Sequence, residues 1–412
     1  MTQSSSASSL HDLFIGRQTI CNARLGVHSY ELLFRAAGRS TANDGKQTDS
    51  ATSNVILTAF QDIGIERLAG DRPVTINLSP GLLGQAANLP VPPQRVIFDL
   101  PQELIHLKAV PALRELKSLG FTLALDDFKF DKRLAPIYDL ADLIKIDVRA
   151  TDASRLARMP ELIARLGALS VAKKVESLDE YELLRDQGFE LFQGFFLSRP
   201  RLLRTKNLAP NKQAVLSLLA KLYDPHSETV DIEAALGSDP TLSYKLIRLI
   251  NSAFFSPPRN IESLHDAIVM LGRNKLAAWA SLLALGQIEN RPSEIFRIVL
   301  ARAKMCELLA ERAGLRGGDG FVVGLFSSLD LLLDQPLDAL LKPLPLAPSL
   351  RDAILRNSGA LGAILKVALG YEQNLWPDIT ASSLPMDALR EASIEALDWA
   401  HSLSGLVGDR QA

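Results

Sequence analysis

Short β-rich runs punctuate the first half of the chain at a spacing that leaves few folds open. They fall near 13–21, 27–35, 74–78, 96–100, 121–125, 143–148, 169–172 and 189–193, and from the third onward recur every 20 to 26 residues. That interval holds one strand, one helix and two turns, the repeat of a parallel βα fold. Between two of the runs, Leu104, Leu107, Leu113 and Leu116 share one helical face. Eight strands with helices between the later ones predict an α/β, TIM-like modified (β/α)8 barrel over residues 12–204. Such barrels typically take about 250 residues, so some helices here must be trimmed. Asn22-Ala23-Arg24-Leu25-Gly26 has the composition of a tight turn, which makes the first strand antiparallel. Segment 38–53, rich in Gly, Ser, Thr, Asn and Asp, reads as an insertion.

After Ser198-Arg199-Pro200 the apolar period changes to 3.6, as in Ala214-Val215-Leu216-Ser217-Leu218-Leu219. Helices are expected at 240–254, 262–287, 293–313, 319–333, 347–356, 360–374 and 385–406, separated by breakers such as Pro257-Pro258, Gly314 and Pro336. An all-α domain over 205–400 follows, with tails at 1–11 and 401–412. A formal charge of −2 gives no general attraction to nucleic acid or anionic lipid. Cys21 and Cys306, far apart and outside any C-x-x-C, read as reduced thiols. No stretch approaches the ~18 uninterrupted apolar residues of a membrane span. The expected location is cytoplasmic, with no membrane partner.

Barrel enzymes carry their chemistry at the C-terminal ends of strands. Those positions hold Glu31 on the second strand, Asn77 on the third and Asp99 on the fourth. Asp126 and Asp127 follow the fifth strand, Lys145 lies on the sixth, Glu176 follows the seventh and Gln193 the eighth. One strand-end Asp is most often a turn former or helix cap. Polar groups from seven strands at one mouth are harder to dismiss. Carboxylates with an Asn suit oxygen-ligated divalent metal, and a lysine suits phosphate.

Residues 12–204 resemble the EAL family, cyclic-di-GMP phosphodiesterases with a modified (β/α)8 barrel. The resemblance rests on Tyr30-Glu31-Leu32-Leu33-Phe34-Arg35, Ile76-Asn77-Leu78-Ser79, Asp126-Asp127-Phe128, Lys145-Ile146-Asp147 and Phe192-Gln193-Gly194-Phe195-Phe196-Leu197-Ser198-Arg199-Pro200. It implies two divalent cations, Mg2+ or Mn2+, bridging carboxylates and Asn, with a metal-bound water attacking the phosphodiester. The departures are as specific. The family's Glu-Leu-Thr-Glu reads Asp99-Leu100-Pro101-Gln102, its Gly-containing loop reads Phe128-Lys129-Phe130-Asp131, and its Ala-Glu-Gly-Val-Glu reads Ala172-Lys173-Lys174-Val175-Glu176. Lys173 thus stands where the resemblance places a general base. A protonated lysine accepts no proton, and Glu to Lys changes the local charge by two, each charge pair being worth about 4 kcal/mol at 4 Å and an effective dielectric of about 20. The same ammonium could neutralise Asp126 or Asp127, giving a metal-free mouth.

No catalytic residue is therefore expected. Glu31, Asn77, Asp99, Asp126 and Asp127 form a vestigial metal site, and no cofactor is required. Arg35, Lys145, Glu176 and Gln193 remain as candidate contacts to a nucleotide or phosphate, which makes cyclic di-GMP a candidate ligand. The rival expectation is an active metal-dependent cyclic-di-GMP phosphodiesterase needing Mg2+ or Mn2+.

The second half carries the phrases Asp239-Pro240-Thr241-Leu242-Ser243-Tyr244-Lys245-Leu246, Ala267-Ile268-Val269-Met270-Leu271-Gly272, Gly359-Ala360-Leu361-Gly362 and Tyr371-Glu372. In these it resembles the HDOD family, a helical output or interaction domain related to HD phosphohydrolases. HD hydrolases hold metal through a His-Asp dyad; here Ser327 and Ser328 take its place, and hydroxyls are poor ligands. His265-Asp266 lies outside that phrase and reads as coincidence. No metal is expected here, and the partners are signalling proteins of unspecified kind. Trp279, Phe254, Phe255 and Trp376 read as core in the first instance and as interface anchors in the second.

Overall fold

The computed structural model describes residues 13–36, 63–83, 86–88, 91–101, 104–128, 131–198, 210–252, 255, 257–288 and 292–407. The expected insertion 38–53 and the first tail lie outside them. The chain divides into two compact units, residues 1–199 and 200–412.

Eight strands close a barrel in sequence order. They are β1 (Leu13–Asn22), β2 (Val27–Ala36), β3 (Val74–Asn77), β4 (Val96–Leu100), β5 (Thr122–Leu125), β6 (Leu143–Asp147), β7 (Leu169–Val175) and β8 (Leu191–Gly194). β1 runs antiparallel to both β2 and β8, and all other neighbours are parallel. The hairpin turns at Asn22, whose Oδ1 accepts from the amides of Arg24 and Gly26 while Leu25 takes φ 61°.

Among the described residues the helices between strands are short, as the length of the barrel requires. Val110–Ser118 and Leu178–Asp186 are the longest, and Ala135–Tyr138 is a single turn. Leu113 and Leu116 are buried on the face of the helix as expected; Leu104, ahead of the helix, is also buried, but Leu107 is exposed. It lies in the 3-10 turn Leu107–Ala109 that precedes the α-helix, so the 3.6 period does not yet apply to it.

Alternation along each strand sorts the interior into layers. Ile20, Ile97, Ala124, Leu143, Val171 and Leu191 form a buried apolar floor. Two residues further toward the mouth, the same faces carry Gln18, Asp99, Asp126, Lys145, Lys173 and Gln193. At the β7–β8 junction the register shifts between Lys173 and Val175, and Lys174 takes φ 65°. A Cβ on Gly194 would stand 1.9 Å from the Val175 carbonyl oxygen, so only glycine permits this closure.

Among the described residues the second unit has helices and no strand. The expected helix 262–287 is two, Leu264–Leu271 and Arg273–Leu285, broken where Gly272 takes φ 76°. The expected 319–333 likewise divides into Gly317–Phe326 and Leu329–Leu333. Thr229–Gly237, Leu337–Leu341 and Trp376–Thr380 are additional helices. The last, Met386–Val407, takes in residues 401–407 that the sequence reading places in a tail. Trp279, Phe321 and Trp399 meet in its interior, with ring centroids 5.6 to 6.2 Å apart. Phe255 lies edge-on to Trp279, and Trp376 is half-buried. Phe254 lies outside the described residues. One stretch, Pro348–Gln373, has the length and apolar character of a membrane span, but Asn357 at φ 51° breaks it into two helices.

Candidate functional site at the barrel mouth

The polar layer above the floor forms two tiers, each built on one lysine. In the inner tier the Lys145 ammonium donates to Glu31 Oε2 at 2.8 Å and to Asp99 Oδ2 at 2.5 Å. All three side chains are buried, Lys145 at 2% exposure. Gln193 Nε2 donates to Glu31 Oε2 at 2.5 Å and to Gln18 Oε1 at 3.0 Å. The two carboxylates share the ammonium unequally. Burial works against ionised Glu31, yet Lys145 and the bonds from Lys145 and Gln193 hold its carboxyl below the usual value. Burial pushes Asp99 up to about 7 against the pull of Lys145, and repulsion from Glu31 and Asp126 adds to the rise. Asp99 Oδ1 receives no hydrogen bond from the described residues. Burial alone would lower Lys145, but its two carboxylates raise it, so it stays charged.

In the outer tier the Lys173 ammonium is bonded to Asp126 Oδ1 and stands 2.8 Å from Asp127 Oδ1. Burial opposes its charge, and its bonds to both aspartates prevail and raise its pKa. Asp127 itself takes φ 47°, and its amide donates to Asp126 Oδ1 at 2.9 Å. Lys174 leaves the interior to pair with Asp147 at 2.5 Å, while Asp147 Oδ1 caps the amides of Arg149 and Ala150.

The remaining candidates spread outward. Asn77 is exposed at the end of β3. Glu176 Oε2 lies 3.7 Å from Arg149, which also bonds Glu180 at 2.8 Å. Arg35 is on β2, paired with Phe14 in the ladder, and its side chain lies outside the described residues, as does Gln102. Lys145 and Gln193, expected to meet a nucleotide, face each other's carboxylate partners inside the barrel.

A two-metal site needs carboxylates converging on an open position. Here each pair closes on an ammonium, and among the described residues no group of three or more His, Cys, Asp or Glu has a metal-holding arrangement. The donor set as it stands does not fit two cations. Sequence reading passed over Gln18 and Arg149. Gln18 was accessible from the hairpin, because it sits directly opposite Glu31 in the β1–β2 register.

In the helical unit, Ser327 Oγ accepts from Arg302 Nη1 at 3.2 Å and donates to the Gly324 carbonyl at 2.7 Å. Ser328 Oγ also donates to that carbonyl. Arg302, buried, forms a two-point pair with Glu372 at 2.9 and 2.8 Å. His265 is exposed and 3.6 Å from Glu233, while Asp266 completes a helix cap with Ser263, remote in role from any metal dyad.

Two known families match in tandem: the one described as EAL domain over residues 21–200 and the one described as HDOD domain over 208–333. The uncharacterised protein YuxH of Bacillus subtilis is 29% identical over 408 residues, covering 95% of this chain and 98% of that protein. The cyclic di-GMP phosphodiesterase CdgJ of Vibrio cholerae is 28% identical over 409 residues, covering 97% and 94%. Among solved structures, the PaMucR phosphodiesterase in complex with c-di-GMP aligns over 46% of this chain and 96% of its own, at 23% identity and TM-score 0.39.

Proposed function

The chain joins an EAL domain to an HDOD domain, and from that pairing we propose a cyclic-di-GMP signalling protein whose barrel docks or senses without hydrolysing. The HDOD domain passes the state of the barrel on through protein contacts, in the cytoplasm. One observation carries the reading: the Lys173 ammonium lies between Asp126 and Asp127 and keeps its proton. A base is needed there to activate water, and two anions must be free to hold cations. Neither requirement is met by an ion pair.

Incubating the pure protein with cyclic di-GMP and Mg2+ or Mn2+ tests it. The expected outcome is no linear dinucleotide, with turnover appearing in a Lys173→Glu variant. Steady linear product from the unaltered protein would overturn the proposal. It would establish instead a metal-dependent phosphodiesterase, the reading favoured by the retained Glu31, Asn77, Asp126, Asp127 and Lys145 and by the similarity to the Vibrio cyclic di-GMP phosphodiesterase.

A further inference from the structure

We infer that Lys173 does the positional work of a divalent cation, so that residues 126–128 after β5 are held in one conformation whatever the metal supply. The inference deepens the reading of a non-hydrolytic mouth and rests on it. Asp126 and Asp127 are consecutive carboxylates, and two anions so close repel unless a cation sits between them. Asp127 also has φ 47°, a left-handed conformation that a non-glycine residue keeps only when its surroundings hold it. The Lys173 ammonium meets both requirements at once, bonded to Asp126 and 2.8 Å from Asp127.

The lysine is itself fixed. It projects from β7, whose backbone pairs with Asp147 on one side and Gln193 on the other. Its side chain is only 13% exposed, so the ammonium is not one of the long surface cations that sample many positions. From Asp127 the constraint runs on. The Phe128 amide donates to the Lys145 carbonyl at 3.4 Å, and the Phe128 ring packs edge-on against Tyr138 at 5.2 Å. The Tyr138 hydroxyl accepts from the Asp131 amide at 2.9 Å. Asp131 in turn binds Arg133 through both carboxylate oxygens. Both described ends of the loop are thus tied down, and the tie at the barrel end is a side chain of the protein. A metal ion would dissociate; a lysine on a strand does not. The conformation of residues 126–128 therefore does not depend on divalent cation concentration.

Hydrogen exchange of amides 126–128 and 131 in the full-length protein tests this, alongside Mn2+ binding read by electron paramagnetic resonance. The unaltered protein is expected to take up no Mn2+ at the mouth and to exchange equally with Mn2+ or with chelator. Lys173→Met should speed exchange of these amides about fivefold, the upper end for losing one partly exposed ion pair. Added Mn2+ should then bind and restore protection. Lys173→Arg should stay protected without metal. Asp126→Asn with Asp127→Asn, which removes the repulsion as well as the pair, should speed exchange less than Lys173→Met, and unchanged amides on β6 certify folding in each variant. Unchanged exchange in Lys173→Met, or Mn2+-dependent protection in the unaltered protein, would overturn the inference. Metal uptake without cyclic-di-GMP turnover sinks this inference alone; turnover with a metal-indifferent loop sinks only the proposed function.

Discussion

One buried ammonium cannot neutralise two carboxylates, and in the inner tier Asp99 is left short. Its carboxyl titrates near 7 because burial penalises the charge and Lys145 is shared with Glu31. A free Asp titrates near 3.9, so between those values the folded chain binds the extra proton. The contribution to stability is fully present below the unfolded value and is lost as pH rises through about 7. Glu31 shifts the opposite way, and its effect falls below the ordinary carboxylate range. With chelator present, unfolding by urea should show the protein about 2 kcal/mol more stable at pH 5.5 than at pH 8 from this group. Asp99→Asn should flatten that slope, and an equal slope in the variant would contradict the assignment. The identity of these residues was plain in the sequence, since motif order names them. Their direction was not. Nothing in a linear string says that Lys145 turns inward to two carboxylates or that Glu176 leans to Arg149. Arg302 was missed for the same reason, because its partner Glu372 lies 70 positions away.

Among the elements, strands were legible and short helices were not. A buried strand announces itself by β-branched content and turn signals within a few residues. Thr229–Gly237 escaped because Val230, 71% exposed, blurs its apolar face. Leu264–Leu271 and Arg273–Leu285 ran together because the apolar run ending at Leu271 resumes at Leu276, a gap of four residues that one continuous helix could also hold. A close helix contact was hidden too. Helix Gly317–Phe326 lies against Ser293–Arg312, where a Cβ on Gly324 would stand 2.7 Å from the Ala303 Cα and one on Gly320 would stand 2.4 Å from the Cys306 carbonyl oxygen. Gly318, in the same helix, has no atom within 4 Å of such a Cβ. Gly324→Ala should therefore lose about 1–3 kcal/mol by forcing the backbones apart. Gly318→Ala should gain up to about 1 kcal/mol from helix propensity. Denaturant midpoints of the two variants decide it, and similar values would mean that the approach of the two helices is not tight.

At the scale of the whole molecule, the βα repeat gives way to a 3.6 period after Pro200, and the structure has two compact units, residues 1–199 and 200–412. A sheet that needs a partner leaves an unpaired edge. This barrel leaves none, since β8 returns to β1 at Ile20, Cys21 and Asn22. Its interior is filled by its own strands, the floor being six apolar side chains and the layer above two lysines with their carboxylates. The closure also depends on Gly194 fitting against Val175, a contact within the unit. All the hydrogen bonds that make the ring are thus supplied by residues before Arg199. Expressed alone, residues 1–204 should fold, melt in one cooperative transition and protect the β6 amides as strongly as in the full chain. A fragment that stays unfolded, or whose β6 amides exchange at the rate of an open chain, would mean that the helical half supplies something the barrel lacks, and that the two tiers at its mouth are not assembled by the barrel alone.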